Sequence, residues 1–282
     1  MEKKGPKIYK VKDVIENNKF KDIHNNIPQM PALVLIIGSV RSGKSNLLVN
    51  FFCNDSFYKG KFDTVKIIST TLHSDTKGKI LNKHFDCTDT YNDNIIEQIK
   101  SEQGMYEKEL RPTFALVLDD VLTKDFSKNN AVSFFSTRFR HYIDMYVIAV
   151  QSFRAVSGMI RNNATDVIIA RQQNQKELLK IAEEYGDLVG GQDNFLKYYN
   201  LIHDKPYQMM YLKLSENPAQ IFRNFEEKVY ELIKLKKFKM PIYLGAGQEF
   251  IGATVAHVLK NTNPLLFAQH RAHSTYLSFG GD

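Results

Sequence analysis

A glycine-rich segment directly after an apolar run is the feature that most constrains what this chain can fold into. Residues 38–45 read GSVRSGKS and satisfy the pattern GxxxxGK(S/T) at every fixed position. The segment lies between the apolar run Ala32–Ile37 and an apolar-faced stretch from Gly43 to Phe52. Glycines let the backbone curl so that successive N–H groups point at a phosphate, at the positive end of the following helix. The pattern predicts a strand, a phosphate-binding loop and a helix; the alternative is a glycine turn that ends in Lys-Ser by coincidence.

Short β-branched runs recur along the chain after residue 31. Stretches of about 20 to 45 residues separate most of them, which is long enough for the helices that connect parallel strands. Their hydrophobicity is continuous rather than alternating, as expected for strands covered on both faces. The runs predict a doubly wound α/β domain with a mainly parallel sheet. They are Ala32–Ile37, Thr64–Thr70, Phe114–Leu118, Met145–Val150, Asp166–Ala170 and Gln208–Leu214.

Apolar residues at helical spacing predict two further helices, over 131–142 and 175–185. After Leu214 a turn at 215–218 precedes an amphipathic, basic segment, Phe222–Lys239, which predicts another helix. We therefore divide the chain into three parts. These are an N-terminal extension (1–30), the domain that carries the phosphate loop (31–215), and a helical or poorly ordered C-terminal extension (216–282) whose junction falls between 215 and 240.

The composition and the lengths of the apolar runs exclude several classes of protein. The two cysteines, Cys53 and Cys87, form no CxxC pair, so neither a disulfide framework nor a cysteine-based zinc site is expected. No apolar run approaches the roughly 18 to 20 residues of a membrane span. The N-terminus lacks the apolar core of a secretory signal, so we expect a soluble, intracellular protein that is not secreted. The net charge of +7 permits phosphate-rich partners, although many basic proteins bind no nucleic acid.

The phosphate loop assigns roles to individual side chains. Lys44 is expected to reach the β- and γ-phosphates of a nucleoside triphosphate, and the Ser45 hydroxyl is expected to bind Mg²⁺. The residues expected to hold the triphosphate are Gly38, Ser39, Val40, Arg41, Ser42, Gly43, Lys44, Ser45 and Asn46.

A second acidic element is needed for hydrolysis, and the run that begins at Phe114 supplies it. This run ends in Asp119 and Asp120, at the carboxyl end of a predicted strand, where ligands of open α/β sheets bind. We assign Asp119 to Mg²⁺ and Asp120 to the orientation or deprotonation of an attacking water. The alternative is that the two aspartates only cap the next helix.

Polar residues after the Met145–Val150 run complete the predicted site. Gln151 ends that run and is expected to contact the γ-phosphate region and the water; a solvated strand end is the alternative. A guanidinium supplied by a neighbouring subunit can stabilise the charge of phosphoryl transfer, and we assign this role first to Arg140 and second to Arg161. Either arginine can instead be a surface residue or an ion-pair partner.

Taken in order, these residues resemble the FtsK–HerA group of additional-strand P-loop NTPases, and within it the genome-packaging ATPases of large DNA viruses of the poxvirus-like lineage. The resemblance covers residues 30–215. It is carried by GSVRSGKSN, ALVLDD, the RFRH stretch at 138–141, IAVQSFR and IRNNATDVIIAR. One departure is Asp120, which stands where many such motors carry glutamate.

The resemblance implies an ATPase that binds ATP and Mg²⁺ and assembles into a ring. It also implies that the ring moves double-stranded DNA into a preformed capsid, with capsid or portal-region proteins as partners. The corresponding location is the host cytoplasm or a virus factory, and association with the virion is a further expectation. The resemblance further implies that the acidic strand is separated from the strand before the phosphate loop by the strand that ends in Gln151.

The last sixty residues resemble a different group. FEEKVYEL at 225–232, GAGQE at 245–249 and QHRAH at 269–273 are similar to the start of the thiamine-diphosphate-dependent subunit of 2-oxo-acid dehydrogenases. The chain contains no GDG…N segment that would hold the diphosphate through Mg²⁺. We therefore expect no thiamine diphosphate to bind, and a metal site at His270 and His273 has no third ligand nearby in the sequence.

Two other functions are compatible with the phosphate loop. A nucleotide or nucleoside kinase uses the same loop to transfer phosphate to a small acceptor. A nucleotide-gated binding protein would bind ATP without turnover. DNA-dependent turnover and the effect of substituting Asp120 distinguish the three.

Overall fold

The computed structural model describes residues 20–73, 76–121, 130–225 and 227–228, and only the backbone at 130 and 227–228. The predicted thiamine-type segment beyond residue 228, with His270 and His273, lies outside the described residues. So do residues 1–19 of the predicted N-terminal extension.

Strands and helices alternate along most of the described chain. The strands are β1 (Ala32–Ile37), β2 (Thr64–Ser69), β3 (Asp86–Thr88), β4 (Phe114–Asp119), β5 (Met145–Val150), β6 (Asp166–Ile169), β7 (Met210–Lys213), β8 (Gln220–Arg223) and β9 (Glu227–Lys228). The helices are α1 (Lys44–Cys53), α2 (Thr76–His84), α3 (Asn94–Gly104), α4 (Asn130–Arg138), α5 (Gly158–Asn163), α6 (Gln175–Tyr185) and α7 (Gln192–Ile202).

All nine strands join one sheet in the order β3-β2-β4-β5-β1-β6-β7-β8-β9. The six strands from β3 to β6 in that order are parallel, and the pairs β6–β7, β7–β8 and β8–β9 are antiparallel. The predicted α/β class with a mainly parallel sheet is confirmed. Each of the six apolar runs forms a strand, with ends that differ from the predicted ends by two residues at most.

The central strands are buried because both of their faces are covered. Every residue of β1, β4, β5 and β6 is buried, which matches the continuous hydrophobicity of their sequences. Aromatic side chains fill the space around α1, where Phe51 contacts Phe52, Tyr58 and Phe225 with ring centroids 5.5–6.4 Å apart. Burying one such side chain contributes about 1.5–3 kcal/mol to stability. The core thus anchors the helix that follows the phosphate loop.

The predicted helix over Phe222–Lys239 is wrong at its start. β8 occupies Gln220–Arg223 and β9 occupies Glu227–Lys228, and the remainder of the predicted helix lies outside the described residues. Phe222 is fully buried and stacks on Tyr211 of β7 with ring centroids 5.4 Å apart. The backbone hydrogen bonds and buried side chains of the β7–β8 pair therefore override the helical spacing of this segment. None of the helices in the described part of the chain is long and apolar enough to cross a membrane.

Candidate functional site

The segment between β1 and α1 is a tight loop that requires glycine at two positions. A Cβ on Gly38 would lie 2.4 Å from Ser42 Oγ and 2.7 Å from the Cβ of Ala170, so no larger residue fits without displacing its neighbours. Gly43 has a φ of 104°, in the region that side chains disfavour. Gly38 is therefore required because neighbouring atoms leave no room for a side chain. Gly43 is required because of its backbone conformation.

Hydrogen bonds from both neighbouring strands hold the loop in place. Gly38 N–H donates to the carbonyl of Val150, the last residue of β5, at 3.1 Å. On the other side, Ser39 N–H donates to Arg171 O at 3.2 Å, and Gln173 N–H donates to Ser39 Oγ at 2.9 Å. The loop is therefore shaped by its own chain before any ligand binds, which reduces the entropy cost of binding.

The loop leads into a helix whose first turn carries no acidic residue. Gly43 caps this helix, α1, without a side-chain hydrogen bond. Ser42 Oγ is buried and has no hydrogen-bond partner among the described residues. An uncapped helix N-terminus beside curled backbone N–H groups and a buried hydroxyl fits an anionic phosphate group. The residues present thus suit the triphosphate that the sequence predicts.

Lys44 is buried inside this loop, with 5% of its surface exposed. Its ammonium donates to Gly38 O at 2.8 Å and lies 3.7 Å from Asp120 Oδ1. Burial of a positive charge is costly unless acceptors surround it, and here loop carbonyls and one carboxylate supply them. The ammonium is therefore held where a phosphate bound in the loop would meet it.

The two aspartates at the end of β4 face different neighbours. Asp119 is 4% exposed, and its Oδ2 accepts a hydrogen bond of 2.8 Å from Ser69 Oγ at the end of β2. Asp120 follows the strand with a φ of 52°, and its N–H donates to Ala149 O on β5. This backbone turn directs the Asp120 carboxylate towards β5 and the phosphate loop, where it reaches Lys44.

Gln151 extends the contact between Lys44 and Asp120 to a third side chain. Its Nε2 donates to Asp120 Oδ2 at 2.9 Å, while Asp120 Oδ1 forms the ion pair with Lys44. We call these three residues the lysine–aspartate–glutamine chain. The strand order explains it, because Lys44 follows β1, Gln151 follows β5 and Asp120 follows β4, three adjacent strands with their carboxyl ends at one edge.

The donor set at this edge also suits Mg²⁺. The predicted ligands are a hydroxyl, Ser45, in the first turn of α1, and a carboxylate, Asp119, held by a hydrogen bond from Ser69. Within the described ranges no group of three or more His, Cys, Asp and Glu side chains forms a metal site by itself. Mg²⁺ in nucleotide sites is usually held by one or two protein oxygens together with phosphate oxygens, and this set matches that pattern.

The two predicted arginines do not join the lysine–aspartate–glutamine chain. Arg161 in α5 is engaged elsewhere, with its Nε 3.4 Å from Glu184 Oε1 and its guanidinium 4.9 Å from the centre of the Phe153 ring. Arg140 is exposed and lies in a 3-10 turn, Phe139–His141, that precedes β5. That turn is at the edge where the parallel strands begin, opposite the phosphate loop. Arg140 therefore lies away from the phosphate loop of its own chain.

Sequence reasoning missed the neighbours that position these groups. Ser69 ends the apolar run of β2. A polar side chain at a predicted strand end could have indicated that Ser69 belongs to the site. The segment before β7 gave no such signal, although Tyr207 and Met209 lie against Gly43. These contacts depend on which strands are adjacent, and strand order is a tertiary property.

The arrangement defines the class of fold. β5 lies between β4, which carries the acidic pair, and β1, which precedes the phosphate loop. This is the strand order that the resemblance to additional-strand P-loop NTPases implies, and the expected separation of the two strands is confirmed. No known family profile matches the sequence, and no curated protein matches it.

Several solved structures are similar to the chain. The genome packaging NTPase B204 from Sulfolobus turreted icosahedral virus 2, in complex with AMPPCP, is 16% identical with a TM-score of 0.49, over 67% of this chain and 96% of that one. B204, the DNA-packaging ATPase from Sulfolobus turreted icosahedral virus, is 19% identical with a TM-score of 0.48, over 68% and 96%. The cytoplasmic domain of the Thermomonospora curvata Type VII secretion ATPase EccC is 14% identical with a TM-score of 0.39, over 52% and 20%.

Proposed function

We propose that this chain is an ATP-hydrolysing motor that moves double-stranded viral DNA into capsids as a ring of subunits. The observation that carries the proposal is the lysine–aspartate–glutamine chain, in which Lys44 and Gln151 approach the two oxygens of Asp120 at 3.7 and 2.9 Å. A phosphate-binding cation, a candidate base and an amide that links to that base meet at one edge of the sheet. These groups suit hydrolysis of a terminal phosphate, which needs a positioned water and stabilisation of the phosphate charge.

Each predicted residue has a role in this proposal. Residues 38–46 hold the triphosphate, and Lys44 contacts its β- and γ-phosphates. Ser45 and Asp119 would hold Mg²⁺, which supplies charge neutralisation at the phosphates when bound. Asp120 orients or deprotonates the attacking water. Gln151 connects Asp120 to the γ-phosphate region and reports whether that phosphate is present.

The DNA and capsid parts of the proposal rest on the sequence resemblance and on the net charge of +7. Basic side chains that face the pore of a ring would contact phosphates without reading bases. Capsid or portal-region proteins are the proposed docking partners. Action in the host cytoplasm or a virus factory, with association to the virion, follows from that role.

ATP turnover measured with and without duplex DNA over a range of salt concentrations tests the proposal. A motor should show stimulation by DNA that fades as salt rises, because counterions compete with phosphate contacts. Asp120→Asn should lower turnover by about 10²–10⁴-fold, the usual contribution of a general base. The variant should still bind ATP. Asp187→Asn, at an exposed aspartate outside the site, is the matched control and should keep full turnover.

Two results would contradict the proposal. ADP formation that depends on a small phosphate acceptor and ignores DNA would indicate a kinase. ATP binding without turnover in the wild-type chain, unchanged by Asp120→Asn, would indicate a nucleotide-gated binding protein.

A further inference from the structure

The segment that precedes β7 lies against the phosphate loop. A Cβ placed on Gly43 would be 3.2 Å from Met209 Cε and 3.6 Å from Tyr207 Cδ1. β7 runs antiparallel to β6, and its first residue, Met210, pairs with Ile169 at the end of β6. The residues before β7 therefore lie at the same edge of the sheet as the phosphate loop.

Tyr207 presents an open aromatic face at this position. Its side chain is 71% exposed, although one of its ring carbons lies near Gly43. Its backbone is anchored two residues later, where Met209 N–H donates to Asn224 Oδ1 at 2.8 Å and Asn224 N–H donates to Met209 O at 3.1 Å. A large exposed ring on an anchored backbone is a surface that a flat apolar ligand group can cover.

The strand order determines which part of a nucleotide would reach this ring. The proposed position of the terminal phosphate is beside Lys44, Asp120 and Gln151. Asp120 follows β4 and Gln151 follows β5, and both strands lie on one side of β1. β6 and β7 lie on the other side of β1. A triphosphate held in the loop with its terminal phosphate beside Lys44 therefore has its nucleoside directed towards Tyr207.

We propose that Tyr207 stacks on the base of the bound nucleotide. This inference rests on the nucleotide site proposed above. Stacking needs only the π-face that every base offers, and it tolerates different bases. ATP and GTP should therefore bind with affinities that differ by no more than about tenfold.

Calorimetry on the full chain tests this inference. It measures the binding of ATP, GTP and inorganic tripolyphosphate under conditions in which the nucleotides are not hydrolysed. Tyr207→Ala should weaken ATP and GTP binding by about tenfold, because one base–aromatic stack is lost. Binding of tripolyphosphate, which has no base, should not change. Tyr207→Phe keeps the ring and should bind ATP like the wild type. Tyr106→Ala, at a tyrosine that is 50% exposed and follows α3, is the matched control.

Three outcomes would overturn the stacking role. They are unchanged ATP affinity in Tyr207→Ala, an equal loss of tripolyphosphate binding in that variant, and a loss in Tyr207→Phe as large as in Tyr207→Ala. A wild-type chain that binds neither ATP nor tripolyphosphate would overturn both this role and the nucleotide site. A wild-type chain that binds ATP through Tyr207 without hydrolysing it would contradict only the motor.

Discussion

On one side of β1 lie β5 and β4, whose ends carry Gln151, Asp119 and Asp120; we call this the acidic flank. On the other side lie β6, β7 and β8 with the segment 203–209, which we call the aromatic flank. Its strands pair antiparallel from β6 onward, and Tyr211 stacks there on Phe222. The acidic flank gathers charges around Lys44, whereas the aromatic flank presents Tyr207 to the same loop. On the two proposals above, reaction chemistry lies on one side of the loop and recognition of the base lies on the other.

The phosphate-binding loop, which lies between the two flanks, should be the part of the chain that is most sensitive to substitution. Gly38→Ala would place a methyl group 2.4 Å from Ser42 Oγ and 2.7 Å from Ala170 Cβ, on the side of β6. We expect ATP binding to be lost and stability to fall by about 1–3 kcal/mol, the usual cost of overpacking. Calorimetric ATP binding and urea unfolding measure the two effects. Gly158→Ala, where the nearest atom would be 3.8 Å from the new Cβ, is the control. Normal ATP binding by Gly38→Ala would contradict the role of this loop in holding the nucleotide.

Lys44 is the cation that the structure places against Asp120 of the acidic flank, and we propose that a neighbouring subunit supplies a second one, Arg140. Arg140→Ala should then lower turnover by about 10³-fold without changing ATP binding. Mixing Arg140→Ala with Asp120→Asn subunits should restore part of the turnover, because some interfaces regain both groups. Absence of restoration would argue against action between subunits.

Arg161 is the matched comparison for that experiment. Its contacts with Glu184 and Phe153 lie within its own subunit. Arg161→Ala should mainly lower the free energy of unfolding, by about 0.5–1 kcal/mol. If Arg161→Ala lowered turnover as much as Arg140→Ala and left stability unchanged, the purely structural role of Arg161 would be contradicted.

Ser69 tests how the acidic flank is positioned. Its hydroxyl donates to Asp119 Oδ2 at 2.8 Å, and Ser69→Ala removes that bond. We expect the Mg²⁺ concentration for half-maximal turnover to rise about tenfold, since a hydrogen bond to a charged group contributes about 1.5–3 kcal/mol. The maximal rate at saturating Mg²⁺ should change little. Ser101→Ala, at an exposed serine of α3, is the control; equal Mg²⁺ dependence in both variants would assign Ser69 a purely structural role.

The acidic flank was largely predictable from sequence, because its parts are local. A continuous apolar run followed by Asp119 and Asp120 indicates a buried strand with carboxylates at its end, and the same holds for Gln151. The contact between Lys44 and Asp120 joins residues 76 positions apart, and only adjacent strands bring them together. Its existence could be expected from the class of fold, but its geometry could not.

The aromatic flank was less predictable because its signals are non-local. Tyr207 follows Asp204, Lys205 and Pro206, a sequence typical of an exposed turn, and only the antiparallel pairing of β7 with β6 brings it to the loop. The β8 segment has helical spacing, and its strand conformation depends on pairing with β7. Such a strand owes its structure to its neighbours in the sheet rather than to propensity.

The aromatic flank also contains a buried carboxylate that should make stability depend on pH. Asp166 accepts hydrogen bonds of 2.6 Å from Tyr211 and from Thr165, and burial raises its pKa from 3.8 to about 6. The folded chain therefore holds a proton on Asp166 between about pH 4 and 6 that the unfolded chain releases. The stability that this carboxyl contributes is fully present below pH 3.8 and is lost as the pH rises through about 6.

Urea unfolding of the wild type and of Asp166→Asn between pH 4 and 7 checks this dependence. The uncharged variant keeps an acceptor for Tyr211 but cannot titrate, so its stability relative to the wild type should rise over this range. Asp187→Asn, at an exposed aspartate, should follow the wild type at every pH. A constant difference between the wild type and Asp166→Asn would mean that Asp166 titrates alike in both states.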